Sequence, residues 1–123
     1  MTVTTAEYLN DLLDQLQLVQ EFTAEGREML LNDVKTQYAV ARAYEIIGEI
    51  LKRIPNSMLD KYPSADWGQV KRFRDFLAHN YRIVLPIRLW DAVEDIPNLC
   101  AAVESMLRDL EKESNKSDDP TAE

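Results

Sequence analysis

The chain of 123 residues is predicted to fold as an all-α antiparallel bundle of four main helices plus a short fifth. Three observations predict this. Glycine is scarce, with only 3 in the chain. Apolar residues recur at three- and four-residue spacing nearly throughout, and few segments alternate with a period of two. Prolines stand where helices start or stop rather than inside them.

The elements follow in order. Thr5 can cap a first helix running to about Thr23, with Tyr8, Leu9, Leu12, Leu13, Leu16 and Val19 as its apolar stripe. The stretch "EGREMLLND" reads as a turn or short break around Gly26. A second helix spans about Asn32 to Ile54, with Val34, Tyr38, Ala41, Tyr44, Ile47, Ile50 and Leu51 facing inward. Gly48 inside it costs up to about 1 kcal/mol relative to Ala, a cost that close helix approach would offset. Pro55-Asn56-Ser57 ends this helix, and "SMLDKYPSAD" reads as a loop. Asp66 or Ser64 can cap a third helix carrying Val70, Phe73, Phe76 and Leu77. Pro86 and Pro97 are first-turn prolines. They open a short helix over about Pro86 to Val93 and a last helix over about Pro97 to Lys112. The last stripe is Leu99, Ala102, Val103, Met106, Leu107 and Leu110.

This length fits one domain, residues 1–113, followed by a disordered acidic tail, 114–123. So small a helical domain exposes much of its surface, which favours oligomerisation. The formal net charge of −8 excludes a generic basic nucleic-acid binder. Lys71 to Arg88 nevertheless holds Lys71, Arg72, Arg74, Arg82 and Arg88 against Asp75 alone. That cluster is either a local phosphate-attracting patch or a solvated helix face. The single Cys100, in "NLCAAV", reads as a buried small hydrophobe and cannot form an internal disulfide. No signal peptide or membrane-length apolar run is visible, so a cytoplasmic location is expected. There is no glycine-rich phosphate loop and no zinc-ligand cluster, and no cofactor or metal is expected.

The stretch "FRDFLAHNYRIV" holds the lone histidine, His79, with Arg74 five positions before it and Tyr81 two after. An imidazole serves as general base or acid near neutral pH. A guanidinium holds phosphate in a planar fork and stabilises charge developing on it. A phenol adds a donor and a stacking face. Together these groups suit metal-free RNA cleavage. Around an ideal helix, however, Arg74 and His79 stand about 140° apart. Either the helix unwinds near His79, or a second subunit completes the site across a two-fold axis. The competing reading is structural. A histidine near a helix end is favoured by the macrodipole, Arg74 pairs with a carboxylate, and Tyr81 packs. Glu45 and Glu49 share a helix face and are expected to pair with Arg42, Lys52, Arg53 or the motif helix rather than hold a metal.

Arg74-Asp75-Phe76-Leu77-Ala78-His79-Asn80-Tyr81 reads as R-x4-H-x-Y and resembles the signature of HEPN-domain proteins, in particular the HepT-like toxin family. "RAYEIIGEILKRIP" resembles that family's second-helix segment, and "NYRIVLPIRLWDAVEDIPNL" the stretch after its motif. The resemblance implies a helical homodimer with R-x4-H motifs meeting at its interface. It implies the toxin of a type VII toxin–antitoxin pair, acting as a metal-independent endoribonuclease. The implied partner is an MntA-like nucleotidyltransferase, which neutralises the toxin by transferring AMP to the motif tyrosine. Arg74 and His79 match the catalytic pair, and Tyr81 matches the modified residue. Asp75 stands where the family commonly has a polar residue, often Asn. Val84 and Leu85 stand where many members carry an acid.

On this reading His79 is general base or acid, and Arg74 orients the scissile phosphate. Asp75 and Asn80 assist orientation, and Lys71, Arg72 and Arg82 guide the RNA backbone or serve in salt bridges. The alternative is a non-catalytic HEPN binding module, the partner subunit of a minimal nucleotidyltransferase.

Overall fold

The computed structural model describes residues 2–80 and 85–118, and these contain helices and no strands. Seven helices are described: α1 (Thr5–Phe22), α2 (Arg27–Asn32), α3 (Val34–Lys52), α4 (Asn56–Leu59), α5 (Trp67–His79), α6 (Pro86–Glu94) and α7 (Ile96–Asp118). Four are long, as expected, and α6 is the expected short one. The additional short helices α2 and α4 lie in stretches read as a break and a loop. Each is built around one residue driven into the core, Leu30 and Leu59 respectively. A single buried leucine per turn leaves no periodic pattern to read.

The helix starts show which side chains cap. Thr4, not Thr5, caps α1: its hydroxyl accepts from the Glu7 backbone N–H at 3.1 Å, and Glu7 accepts the Thr4 N–H at 2.8 Å. Only this register puts a glutamate third in the helix and closes the reciprocal pair. Gly26, with φ +98°, turns the chain into α2, a conformation that side chains resist. Asp33 caps α3, and Asp66, rather than Ser64, caps α5 through the Gln69 N–H at 3.0 Å. The Ser64 carbonyl instead accepts from Asn98 at 2.7 Å, pinning the loop to α7. Pro86 and Pro97 occupy first turns, as expected.

Leu9, Leu12, Leu16 and Val19 of α1 are buried, as are Leu99, Val103 and Met106 of α7. These two helices pack together, and α3 packs most extensively against α1 and α5. The buried track of α3 runs Thr36, Val40, Ala43, Tyr44, Ile47, Gly48 and Leu51. Val34 and Tyr38 were expected inside but are 61% and 75% exposed. They lie on the opposite side of the first turns, where Thr36 and Val40 face the core. Tyr44 is buried and donates to the Ala92 carbonyl at 2.6 Å, tying α3 to α6. Burial pushes its phenol well above the usual range. Burial likewise raises the Cys100 thiol, consistent with a core residue. α7 continues to Asp118 instead of ending near Lys112, and its last residues extend the helix without an apolar stripe. It thereby covers part of the expected tail, whose residues 119–123 lie outside the described residues. Among the described residues no helix is long and apolar enough to cross a membrane.

Candidate active site

The site is built where α5 crosses α3. Val70 and Leu77 anchor α5 in the core. Between them Arg74 meets Gly48. A Cβ at Gly48 would stand 2.2 Å from Arg74 Cγ and 2.3 Å from its Cβ. The arginine's aliphatic stem therefore lies on bare α3 backbone, which only glycine provides. This is the close approach that offsets the propensity cost of Gly48.

Laid across α3, the guanidinium reaches two carboxylates. Nη2 contacts Glu49 Oε1 directly, and Nη1 donates to Asp75 Oδ1 at 3.1 Å. Lys52 stands 3.8 Å from Glu49 and 3.7 Å from Asp75, closing a network of two cations and two anions. The Arg74 hydrogen bond, helped by the Lys52 charge, holds the Asp75 carboxyl below the usual carboxylate range. Arg74 Nε is buried and has no hydrogen-bond partner among the described residues. Arg74 lines a groove of about 460 Å³ between α3 and α5, together with Arg42, Glu45, Glu49 and Ala78. Glu45 pairs with Arg42 at 3.2 Å. Both helix-face carboxylates thus serve as counterions, as expected.

His79 ends α5 and is exposed. Its Nδ1 lies 2.7 Å from the Asp75 carbonyl oxygen. A carbonyl can only accept, so Nδ1 donates. In the neutral ring the lone pair then sits on Nε2. Asn80 closes the helix twice over, since its backbone N–H and its side-chain amide both donate to the Phe76 carbonyl, at 2.9 and 3.0 Å.

The structure thus joins Arg74 to Asp75 through side chains and His79 to Asp75 through the backbone. It does not join Arg74 to His79. The helix stays continuous through His79, so unwinding does not close the 140° between them. Lys71 donates to Asn56 at 2.9 Å and braces α5 against α4. Arg72 is exposed on another face of α5. Tyr81 and Arg82 lie outside the described residues. Sequence reasoning missed the role of Arg88, whose guanidinium covers the Phe76 ring at 5.3 Å. Its only signal was membership of the basic cluster.

Comparison with known proteins then places the chain. The model of the family described as "Ribonuclease HepT-like" matches residues 12–106. The chain belongs to the HepT-like family. It is 44% identical over 102 residues to the protein named "Probable ribonuclease HepT" of Thermococcus cleftensis, covering 81% of this chain and 93% of that one. It is 35% identical over 112 residues to "Putative RNase MJ0127" of Methanocaldococcus jannaschii, covering 89% and 93%. Another relative from that organism, "Gamma-glutamylcyclotransferase and putative RNase MJ0434", is 34% identical over 113 residues, which is 50% of its length. No solved structure matches the chain. The matched span of this HepT-like chain contains Gly48, Glu49, Arg74, Asp75 and His79.

Proposed function

We propose that the chain is a metal-independent endoribonuclease, the toxin of a type VII HepT/MntA pair. The observation that carries this is the His79 tautomer. With Nδ1–H donated to the Asp75 carbonyl, the neutral ring presents Nε2 as a base toward solvent. In the proposed step Nε2 takes the proton of a ribose 2′-hydroxyl. The 2′-oxygen forms a bond to the adjacent phosphorus, the P–O5′ bond breaks, and a proton passes to the departing 5′-oxygen. The products are a 2′,3′-cyclic phosphate and a 5′-hydroxyl. Arg74 binds the non-bridging oxygens and stabilises their charge. Asp75 and Asn80 act as positioning residues, one fixing Arg74 and the ring, the other the helix end.

The divergence of Arg74 and His79 on one α5 supports a homodimer of antiparallel four-helix bundles, with the motifs of two chains sharing a cleft. The uncovered apolar side of α3, with Val34 and Tyr38, supports it further. The functional unit is the domain 1–113, acting in the cytoplasm. Tyr81 is the AMP acceptor for an MntA-like nucleotidyltransferase. The adduct opposes RNA entry through bulk and negative charge.

A second reading draws support from Arg74 itself, already held by Glu49 and Asp75. On that reading the chain is a non-catalytic partner subunit that presents Tyr81. One experiment separates the two: cleavage of labelled RNA in EDTA by protein whose intact mass shows no AMP, beside folded His79→Ala and Arg74→Ala. Cleavage lost in both variants supports the nuclease. No cleavage by the unmodified protein on several RNAs overturns it in favour of the binding module.

A further inference from the structure

A second groove, of about 390 Å³, opens on the other side of α5, where α6 and α7 approach it. It has no part in the Arg74 network. Its wall is a stack. Phe73 and Phe76 lie nearly parallel, at 12° with centroids 6.5 Å apart, and the Arg88 guanidinium caps the outer ring at 5.3 Å. Arg72 stands on the rim. Among the described residues neither Arg72 nor Arg88 forms an ion pair, whereas Arg27, Arg42 and Arg74 are each bound to a carboxylate. Gln69, Asp91 and Asp95 also line the groove and offer an amide and two carboxylates.

The groove is next to the histidine. Arg72, Phe76 and His79 follow one another at spacings of four and three, along one side of α5. His79 lies only about 4.5 Å further along the axis than Phe76. One strand could therefore reach both His79 and this groove.

We propose that the groove is a subsite for one nucleotide of single-stranded RNA flanking the cleaved bond. Its base lies on the open side of Arg88 and extends the Phe73–Phe76–Arg88 stack, and Arg72 holds a backbone phosphate. The chemistry matches on three counts. Unpaired bases stack on guanidinium planes and aromatic rings. An unpaired guanidinium takes phosphate in a charge-assisted fork. Gln69 and Asp91 accept from base amino groups or ribose hydroxyls. The subsite would also explain how an acidic chain can hold RNA, since its cations are local and, among the described residues, in no ion pair. This inference rests on the reading of the chain as a nuclease.

Binding, not turnover, tests it. The full chain carrying His79→Ala provides a background without cleavage, and a 5′-labelled single-stranded RNA is followed by fluorescence anisotropy. In that background Arg88→Ala is expected to weaken binding about tenfold, the loss of one stacked base. Arg88→Lys is expected to weaken it nearly as much, because an ammonium keeps the charge without the plane. Arg108→Ala on α7, whose guanidinium donates to Ser105 and among the described residues forms no ion pair, removes one charge elsewhere and sets the size of a general electrostatic loss. Arg88 is exposed, and unfolding curves check that its variants stay folded. Arg88→Ala binding no worse than Arg108→Ala, or full affinity in Arg88→Lys, overturns the subsite and leaves the nuclease reading standing. Absence of RNA binding by the background protein overturns both.

Discussion

His79 is a base or a donor according to which ring nitrogen carries the proton, and a backbone oxygen of its own helix makes that choice. Asp75 supplies this carbonyl while its side chain holds Arg74, so one residue serves both halves of the motif. The carboxylate's lowered pKa gives a stability consequence. Its contribution is complete above the unfolded-state value of about 3.9 and is lost as pH falls through the lower folded-state value. Asp75→Asn is therefore expected to flatten the acid limb of stability below about pH 4, measured by urea unfolding at stepped pH. A limb as steep as that of the parent would show the carboxylate unperturbed. Residue identities at the motif were legible because the chain's single imidazole stands close to a guanidinium and a phenol. The role of Glu49 was narrowed to a few partners. The tautomer was not legible, since it depends on a backbone carbonyl rather than on a residue type.

At the scale of elements, the crossing of α3 and α5 sets the geometry. Gly48→Ala would gain up to about 1 kcal/mol of helix propensity. Against this, a methyl group 2.2 Å from Arg74 Cγ forces displacement that costs about 1–3 kcal/mol, so a net loss is expected. In an Arg74→Ala background the same change is expected to be neutral or stabilising, and a double-mutant cycle in urea reads the coupling. Additive effects would show that the two residues do not share the crossing. At the start of α1, Thr4→Ala is expected to cost about 1 kcal/mol and Thr5→Ala a few tenths, by the same measurement. Equal losses would remove Thr4 as the cap. The long helices were legible from their stripes, and α7 was underestimated because its last turns are polar and carry no apolar stripe. Val34 and Tyr38 misled because apolar residues at helical spacing look the same whether the fold or another molecule covers them.

For the whole molecule, the proposed shared site asks for two chains. Light scattering is expected to give a mass near twice 14.2 kDa. Mixing Arg74→Ala with His79→Ala, each inactive alone, is expected to restore part of the cleavage, because a mixed dimer retains one arginine facing one histidine. A mixture that stays inactive would show that the site is not shared between chains. The all-helical class was legible at this scale from apolar spacing, and the family from three segments in order. The distribution of charge was not. In a chain of net charge −8, Arg74 is bound to acids, whereas among the described residues Arg72 and Arg88 form no ion pair.

The seat of Arg74 on Gly48 has one more effect. An arginine side chain free in water loses about 1.5–2 kcal/mol of rotamer entropy when fixed. Here the stem is immobilised as the helices dock, before any ligand arrives. A phosphate that displaces Glu49 or Asp75 therefore exchanges one anion for another on a fork already frozen in place, and association need not quench the arginine's torsional freedom again.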